Sequence, residues 1–428
     1  MHRWALGAAA LLSACAGHAA TGAAPAGDAL LQRMLVAEDA RGTGAEGVAP
    51  LLEGQKSSDS TLRFVANRAL ERLKWAPTPP PPSNRPPRTP GPRITNGACS
   101  RLIAPAQSSD LRMRLAAADS AATCADDGTS LLALAHTPDA NVRAGAITGL
   151  SRTAGHADDS VFTGALSARG YQVVLAAANA LRGSPDGARA VPALLGTLDR
   201  LTAERRENSR DERIAILARL AEFATPADTP RLRAYTADFD TTVAAKAAAV
   251  LSAWTGATVV PHARPLPIRT EPLARIFRTR GMQLRITMAP SSGGGMILID
   301  LFTTEAPATI ARITRLARAH YYDGLSFHRY VPNFVIQGGS PGASEQVGDA
   351  AFMRDELGGH SHLRGTVGIS TRGHDTGDGQ FFINLVDNKR LDHDYTVFGE
   401  VVAGMDVVDR VRAGDIMQRV EVVSTVER

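Results

Sequence analysis

The chain has 428 residues of which 44% are hydrophobic, enough for about three domains with buried cores and too apolar for disorder throughout. Its 47 Lys+Arg against 43 Asp+Glu leave a formal charge of only +4 with no concentrated basic block, which argues against a nucleic-acid partner. Aromatic residues make up only 5%, so a segment that concentrates them carries weight.

The amino terminus reads His2 and Arg3, then the apolar run Trp4 to Leu12, then Ser13, Ala14 and Cys15. A charged start, a short apolar stretch and small residues at its end are the pattern of an export signal, too short to span a bilayer. Leu12-Ser13-Ala14-Cys15 resembles the lipobox of bacterial lipoproteins. That resemblance implies a signal peptide over 1–14, Cys15 as the acylated mature amino terminus, and, with Ala16 after it, the outer membrane. The alternative is an ordinary signal with a fortuitous Cys. The expected location is the bacterial cell envelope on the periplasmic side, with the lipid anchor holding the chain to the membrane. Cys99 and Cys124 then form an even pair in an oxidising compartment and are read as a disulfide, two buried thiols being the alternative. Without a CxxC or a nearby His they give no support to zinc or redox chemistry.

Residues 28–74 read as a helical segment, in which Val65 to Leu73 looks like a stray copy of the repeat described next. The tract 75–97, rich in proline, lacks the N–H donors that helix or sheet requires and reads as a stiff linker. From 98 to 256 Ala, Leu and Arg recur at helical spacing without period-two alternation. Segments starting near 111, 142, 173, 211 and 243 share a form, and Asp139-Ala140-Asn141 and Asp240-Thr241-Thr242 suit helix starts. The intervals match a paired-helix unit, and the Asp-x-x-Val-Arg-x-x-Ala form resembles HEAT-like helical repeats. That resemblance implies an extended surface for an envelope protein partner; an irregular bundle would give much the same pattern.

The prolines of 257–275 mark a second linker, and after it the pattern changes. Met282, Leu284, Ile286 and Met288 alternate with polar residues as a half-buried strand, and Met296 to Phe302 forms its hairpin partner. A helix is predicted from Pro307 to Arg318 and another near Met405 to Val411, with short strands between glycine turns. The expected fold is multidomain: an all-α repeat region followed by a closed antiparallel β-barrel with two capping helices.

The densest aromatic segment is Tyr321 to Gly339. If a strand runs through it unbroken, Arg329, Val335 and Gln337 share one face. The segment Gly377 to Asn384 adds Gln380, Phe381 and Phe382 beside glycines. An apolar pocket with a guanidinium at its lip fits an X-Pro segment. His360, His362, His374 and His393 lie in loop-like sequence without i, i+4 spacing, so no metal site is read there. Ser370 has His374 four residues on but no nucleophile elbow, so hydrolysis is not read there either.

Phe327-His328-Arg329 through Gln337-Gly338-Gly339, with Gly379-Gln380-Phe381-Phe382 and Val397-Phe398-Gly399, resemble the cyclophilin family of peptidyl-prolyl isomerases. The resemblance places this domain at 276–428. It implies an isomerase without cofactor or metal, acting on proline-containing polypeptides, with Arg329 catalytic and Gln337 and Phe334 beside it. It also implies substrate contacts from Val335, Ser370, Thr371, Gln380, Phe382, Leu391 and Tyr395. Arg390 stands where a tryptophan binds cyclosporin, so affinity for that ligand is expected to be weak. The function expected is assistance to the folding of exported proteins from a helical scaffold. The alternative is a catalytically weak lipoprotein that binds proline peptides.

Overall fold

The computed structural model describes residues 26–42, 47–74, 99–124, 128–267 and 271–425. The signal region with Cys15 and the 75–97 tract lie outside the described residues.

Among the described residues three helices come first: α1 (Ala26–Asp39), α2 (Ala49–Gln55) and α3 (Ser60–Lys74). Ten follow in the central region: α4 (Ile103–Ala106), α5 (Leu111–Thr123), α6 (Gly128–Leu134), α7 (Ala140–Thr153), α8 (Asp159–Ala165), α9 (Tyr171–Ala180), α10 (Val191–Ala203), α11 (Arg210–Phe223), α12 (Thr229–Arg233) and α13 (Thr241–Thr255). Aspartate side chains cap three of them. The side chains of Asp110, Asp139 and Asp240 accept from backbone N–H groups of the first turns of α5, α7 and α13, satisfying donors that a helix start otherwise leaves open. Asp211 does not repeat this pattern. It lies inside the first turn of α11, after a short 3-10 turn whose Glu207 and Asn208 N–H groups donate to Ala350 O.

Helices α5, α7, α9, α11 and α13 stack in that order, and α6, α8, α10 and α12 each pack on the helix that follows. Small residues permit the spacing: a Cβ on Gly145 would stand 2.2 Å from Ala118 O across the α5–α7 contact. Cys99 and Cys124 are joined as a disulfide, their Cα atoms 6.0 Å apart, and clamp the start of this stack. Arg213 on α11 and Asp238 form a fully buried ion pair, with Phe239 4.2 Å from the guanidinium. Within 257–267 the backbone runs along the stack, His262 and Arg264 donating to Thr236 O and Asp238 O.

The third region begins with α14 (Leu273–Arg278), so a boundary at 276 would cut a helix whose Leu273, Ile276 and Phe277 are buried. Strands β1 (Met282–Met288), β2 (Met296–Leu301), β3 (Ser326–Val331), β4 (Val335–Ser340), β5 (Thr366–Ile369), β6 (Phe381–Asn384), β7 (Val397–Ala403) and β8 (Asp415–Ser424) close into a barrel in the order β1-β2-β7-β5-β6-β4-β3-β8. All the pairings are antiparallel. Helices α15 (Pro307–Arg318) and α16 (Met405–Arg410) are the two predicted from sequence. Closure leaves no unpaired sheet edge.

Helices α1–α3 do not extend the central stack. Their Leu31, Met34, Leu51, Leu62, Val65 and Ala69 join the hydrophobic core of the barrel region, which corrects the reading of Val65 to Leu73 as a repeat copy. Arg72 on α3 explains the docking: it donates to Leu357 O at 2.6 Å and Glu305 O at 3.0 Å while pairing with Glu38 of α1 at 2.6 Å. Arg68 donates to Thr304 O and pairs with the same carboxylate. The two guanidiniums thus satisfy both a buried acid and carbonyls of the barrel loops.

Candidate active site

The aromatic segment from Tyr321 to Gly339 folds as a hairpin of β3 and β4, so the strand does not run through it unbroken. Pro332 cannot donate to a ladder and Asn333 takes a left-handed φ of 54°, so the chain reverses and Phe334 N–H bonds back to Val331 O at 3.1 Å. Arg329 and Gln337 nevertheless share a face, because β3 and β4 pair with these two residues opposite each other. Strand β6 extends that surface by placing Phe382 opposite Gln337. Neighbouring Phe381 and Ile383 point the other way and are fully buried in the barrel core.

The surface beside Arg329 and Gln337 is aromatic. Phe382 is 5% exposed and packs edge-on against Tyr395, ring centroids 5.7 Å apart. On β5, Gly368 leaves room for the ring, since a Cβ there would lie 2.5 Å from Phe382 Cζ. His362 stacks on Phe382 at 5.7 Å and reaches Tyr395 O at 3.2 Å. Burial holds the His362 pKa below its usual value, so the ring beneath the pocket is neutral near pH 7. Phe334 is half-buried beneath the Arg390 guanidinium, 4.6 Å from its ring. Asn388 donates to Phe334 O at 3.0 Å and to Asn384 at 2.7 Å, and its carbonyl accepts from Leu391 N–H at 2.8 Å. That chain of bonds ties the turn bearing Leu391 to Phe334.

At the mouth Arg329 donates from Nη1 to Gln337 Oε1 at 3.4 Å. Ser370 and Thr371 follow β5, half-buried, with Ser370 N–H bound to Gln380 O at 2.9 Å. Gln380 takes a different place from the substrate contact expected of it. Its side chain is 2% exposed and Nε2 donates to Glu345 O and Val347 O at 3.2 and 3.4 Å and to Asp378, so it braces a loop. Arg329, Gln337, Phe382 and Tyr395 are therefore drawn together, Val335 lies two residues before Gln337 on the same strand, Phe334 is tied through Asn388 to the turn of Leu391, and Ser370, with Thr371 after it, lies beside Gln380.

Sequence reasoning missed His362, Asn384 and Asn388 as the frame under the pocket. The only local signal was one more histidine in a loop, read against metal. Among the described residues no three His, Cys, Asp or Glu side chains gather as a ligand set. His360 stacks on Phe302 and His374 pairs with Asp355.

The fold is thus a closed eight-stranded antiparallel barrel that sets the Arg329 guanidinium and Gln337 beside Phe382 and Tyr395. The family described as cyclophilin type peptidyl-prolyl cis-trans isomerase/CLD matches residues 285–427. The chain is 37% identical over 131 residues to peptidyl-prolyl cis-trans isomerase B of Bacillus subtilis, which spans 30% of this chain and 92% of that protein. It is 36% identical over 130 residues to a peptidyl-prolyl cis-trans isomerase of Helicobacter pylori, 29% of this chain and 80% of the relative. A third such enzyme, from Synechococcus elongatus, is 35% identical over 132 residues, 30% of this chain and 91% of the relative. The chain belongs to this family through its barrel and is a cyclophilin-type peptidyl-prolyl isomerase.

Proposed function

We propose that this isomerase assists the folding of exported proteins from the periplasmic side of the envelope. In this reading Cys15 carries the anchor, and the stacked helices act as a HEAT-like scaffold that presents the barrel and holds an envelope partner. The observation that carries the catalytic reading is Arg329 at the mouth, oriented by Gln337 above a floor of Phe382, Val335 and Tyr395.

The barrier to be lowered is lost amide resonance, ~18–20 kcal/mol, as the C–N bond twists. Phe334, Val335, Phe382 and Leu391 hold the proline ring, and the Ser370–Thr371 segment aligns the substrate backbone. As the bond rotates, the proline nitrogen becomes pyramidal and regains a lone pair. Arg329, charged at any working pH, donates to that lone pair more strongly in the twisted state than in either planar state, which is differential binding. The Arg390 guanidinium over Phe334 walls the pocket with a cation in place of an indole. Uncatalysed X-Pro exchange takes tens to hundreds of seconds, slow enough to limit folding outside the cytoplasm.

The test is refolding of an exported protein whose slow phase is X-Pro exchange. Catalytic amounts of the full chain shorten that phase and Arg329→Ala does not. Saturable binding of the client with an unchanged slow phase would refute the enzyme reading in favour of a peptide-binding scaffold. Mass spectrometry of the mature amino terminus shows a diacylated or triacylated Cys15 if the anchor is right, and an unmodified terminus if it is wrong.

A further inference from the structure

Arg329 is held on two edges. Besides Gln337 at Nη1, its Nε lies 3.3 Å from Oε1 of Glu345, and both side chains are only 20% exposed. Glu345 is on no strand; it belongs to the segment after β4, which is fastened from both sides. The Arg372 guanidinium and the Gln380 amide both donate to Glu345 O. Arg372, its side chain 5% exposed, also donates to Asn208 O at 3.0 Å and pairs through Nε with Asp211 at 2.9 Å, both residues of the helical stack. Further along the segment, Asn141 donates to Gly342 O at 3.0 Å, Val347 packs on the core of the stack, and Arg206 and Asn208 both donate to Gly348 O at 3.1 Å.

We propose that Glu345 is a positioning residue for Arg329, held in place by the helical stack through Arg372, so that the stack is a working part of the isomerase site. This deepens the function proposed above and rests on it. A guanidinium is planar with five N–H donors on a flexible stem. The hydrogen bond at Nη1 and the carboxylate at Nε together restrict rotation about the last torsions of the side chain. Released at Nε, the side chain spends less time in the productive orientation, while the apolar floor that binds proline is untouched. Such a loss falls on kcat and spares KM.

The experiment uses the full chain, wild type and with Glu345→Ala or Glu345→Gln, in catalysed exchange of a Phe-Pro peptide. Glu345→Ala lowers kcat about three- to tenfold with KM within about twofold, the signature of an interaction made in the transition state. Glu345→Gln, which keeps the Oε1 acceptor, stays within about twofold of wild type on the same argument. The Arg329 Nε–H resonance, assigned by its loss in Arg329→Lys, moves in Glu345→Ala. Unchanged kcat in Glu345→Ala, an equal loss in both variants, or an unmoved resonance would overturn the proposal. An inactive wild-type chain would instead overturn the catalytic reading, and the resonance would still decide whether Glu345 positions Arg329.

Discussion

Gly368 makes room for the Phe382 ring, which the proposed mechanism sets against the substrate proline. Its missing Cβ is the space that the Phe382 ring fills, at a distance of 2.5 Å where no real Cβ fits. In Gly368→Ala the ring must tilt into the pocket, so kcat/KM for a proline peptide is expected to fall about tenfold, with about 1–3 kcal/mol of overpacking strain. Peptide exchange and thermal unfolding measured together check both effects; full activity would show that the floor does not bind proline. The pocket residues were legible because aromatic residues are scarce and Phe327, Tyr330, Phe334, Phe381 and Phe382 concentrate them in two segments beside Arg329 and Gln337. The supports were not. Asn384, Asn388 and His362 act through hydrogen bonds whose partners are set by strand pairing, and residue type alone does not show that Gln380 turns inward.

A single helix, α11, carries an electrostatic burden that local sequence does not show. Glu212 is fully buried in its first turn, and neither carboxylate oxygen has a hydrogen-bond partner among the described residues. Burial, with the charge of Asp211 adding to it, pushes the Glu212 pKa from 4.5 up to about 8. Between those values the folded chain keeps a proton that the unfolded chain releases, so the contribution of this group falls as pH rises through the window. Glu212→Gln, which mimics the protonated acid, is expected to raise the melting temperature by roughly 2–5 °C at pH 8 and to change little at pH 4.5. Differential scanning fluorimetry at the two pH values checks this, and an equal shift at both would contradict it. Elements with local signals were legible: the aspartate caps of α5, α7 and α13, the strands β1 and β2, and α15 with its apolar stripe. The sequence leaves open whether β3 and β4 are one strand because apolar residues flank Pro332-Asn333 on both sides, and a two-residue reversal inside such a run is weakly marked.

The whole molecule differs most from its linear plan. Helices α1–α3 and the barrel region share one core across most of the chain's length, and contacts at that separation leave no local pattern to read. The same distance hid the bonds that tie the helical stack to the loops beside Arg329. The barrel therefore packs against the first three helices. A fragment of residues 271–425 without the first helices is expected to expose Leu273, Ile276 and Phe277, to bind a hydrophobic dye, and to melt at least ~5 °C below the chain that retains them. Equal melting temperatures with no dye binding would show that α1–α3 contribute nothing to the barrel.

Catalysis by the Arg329 guanidinium at the twisted imide is tested most directly by NMR exchange spectroscopy on an Ala-Pro peptide with the full chain and Arg329→Ala. The account predicts cis–trans exchange accelerated by the wild-type protein and reduced at least ~100-fold in the variant, while the peptide still binds the aromatic floor. Equal acceleration by both proteins would contradict it.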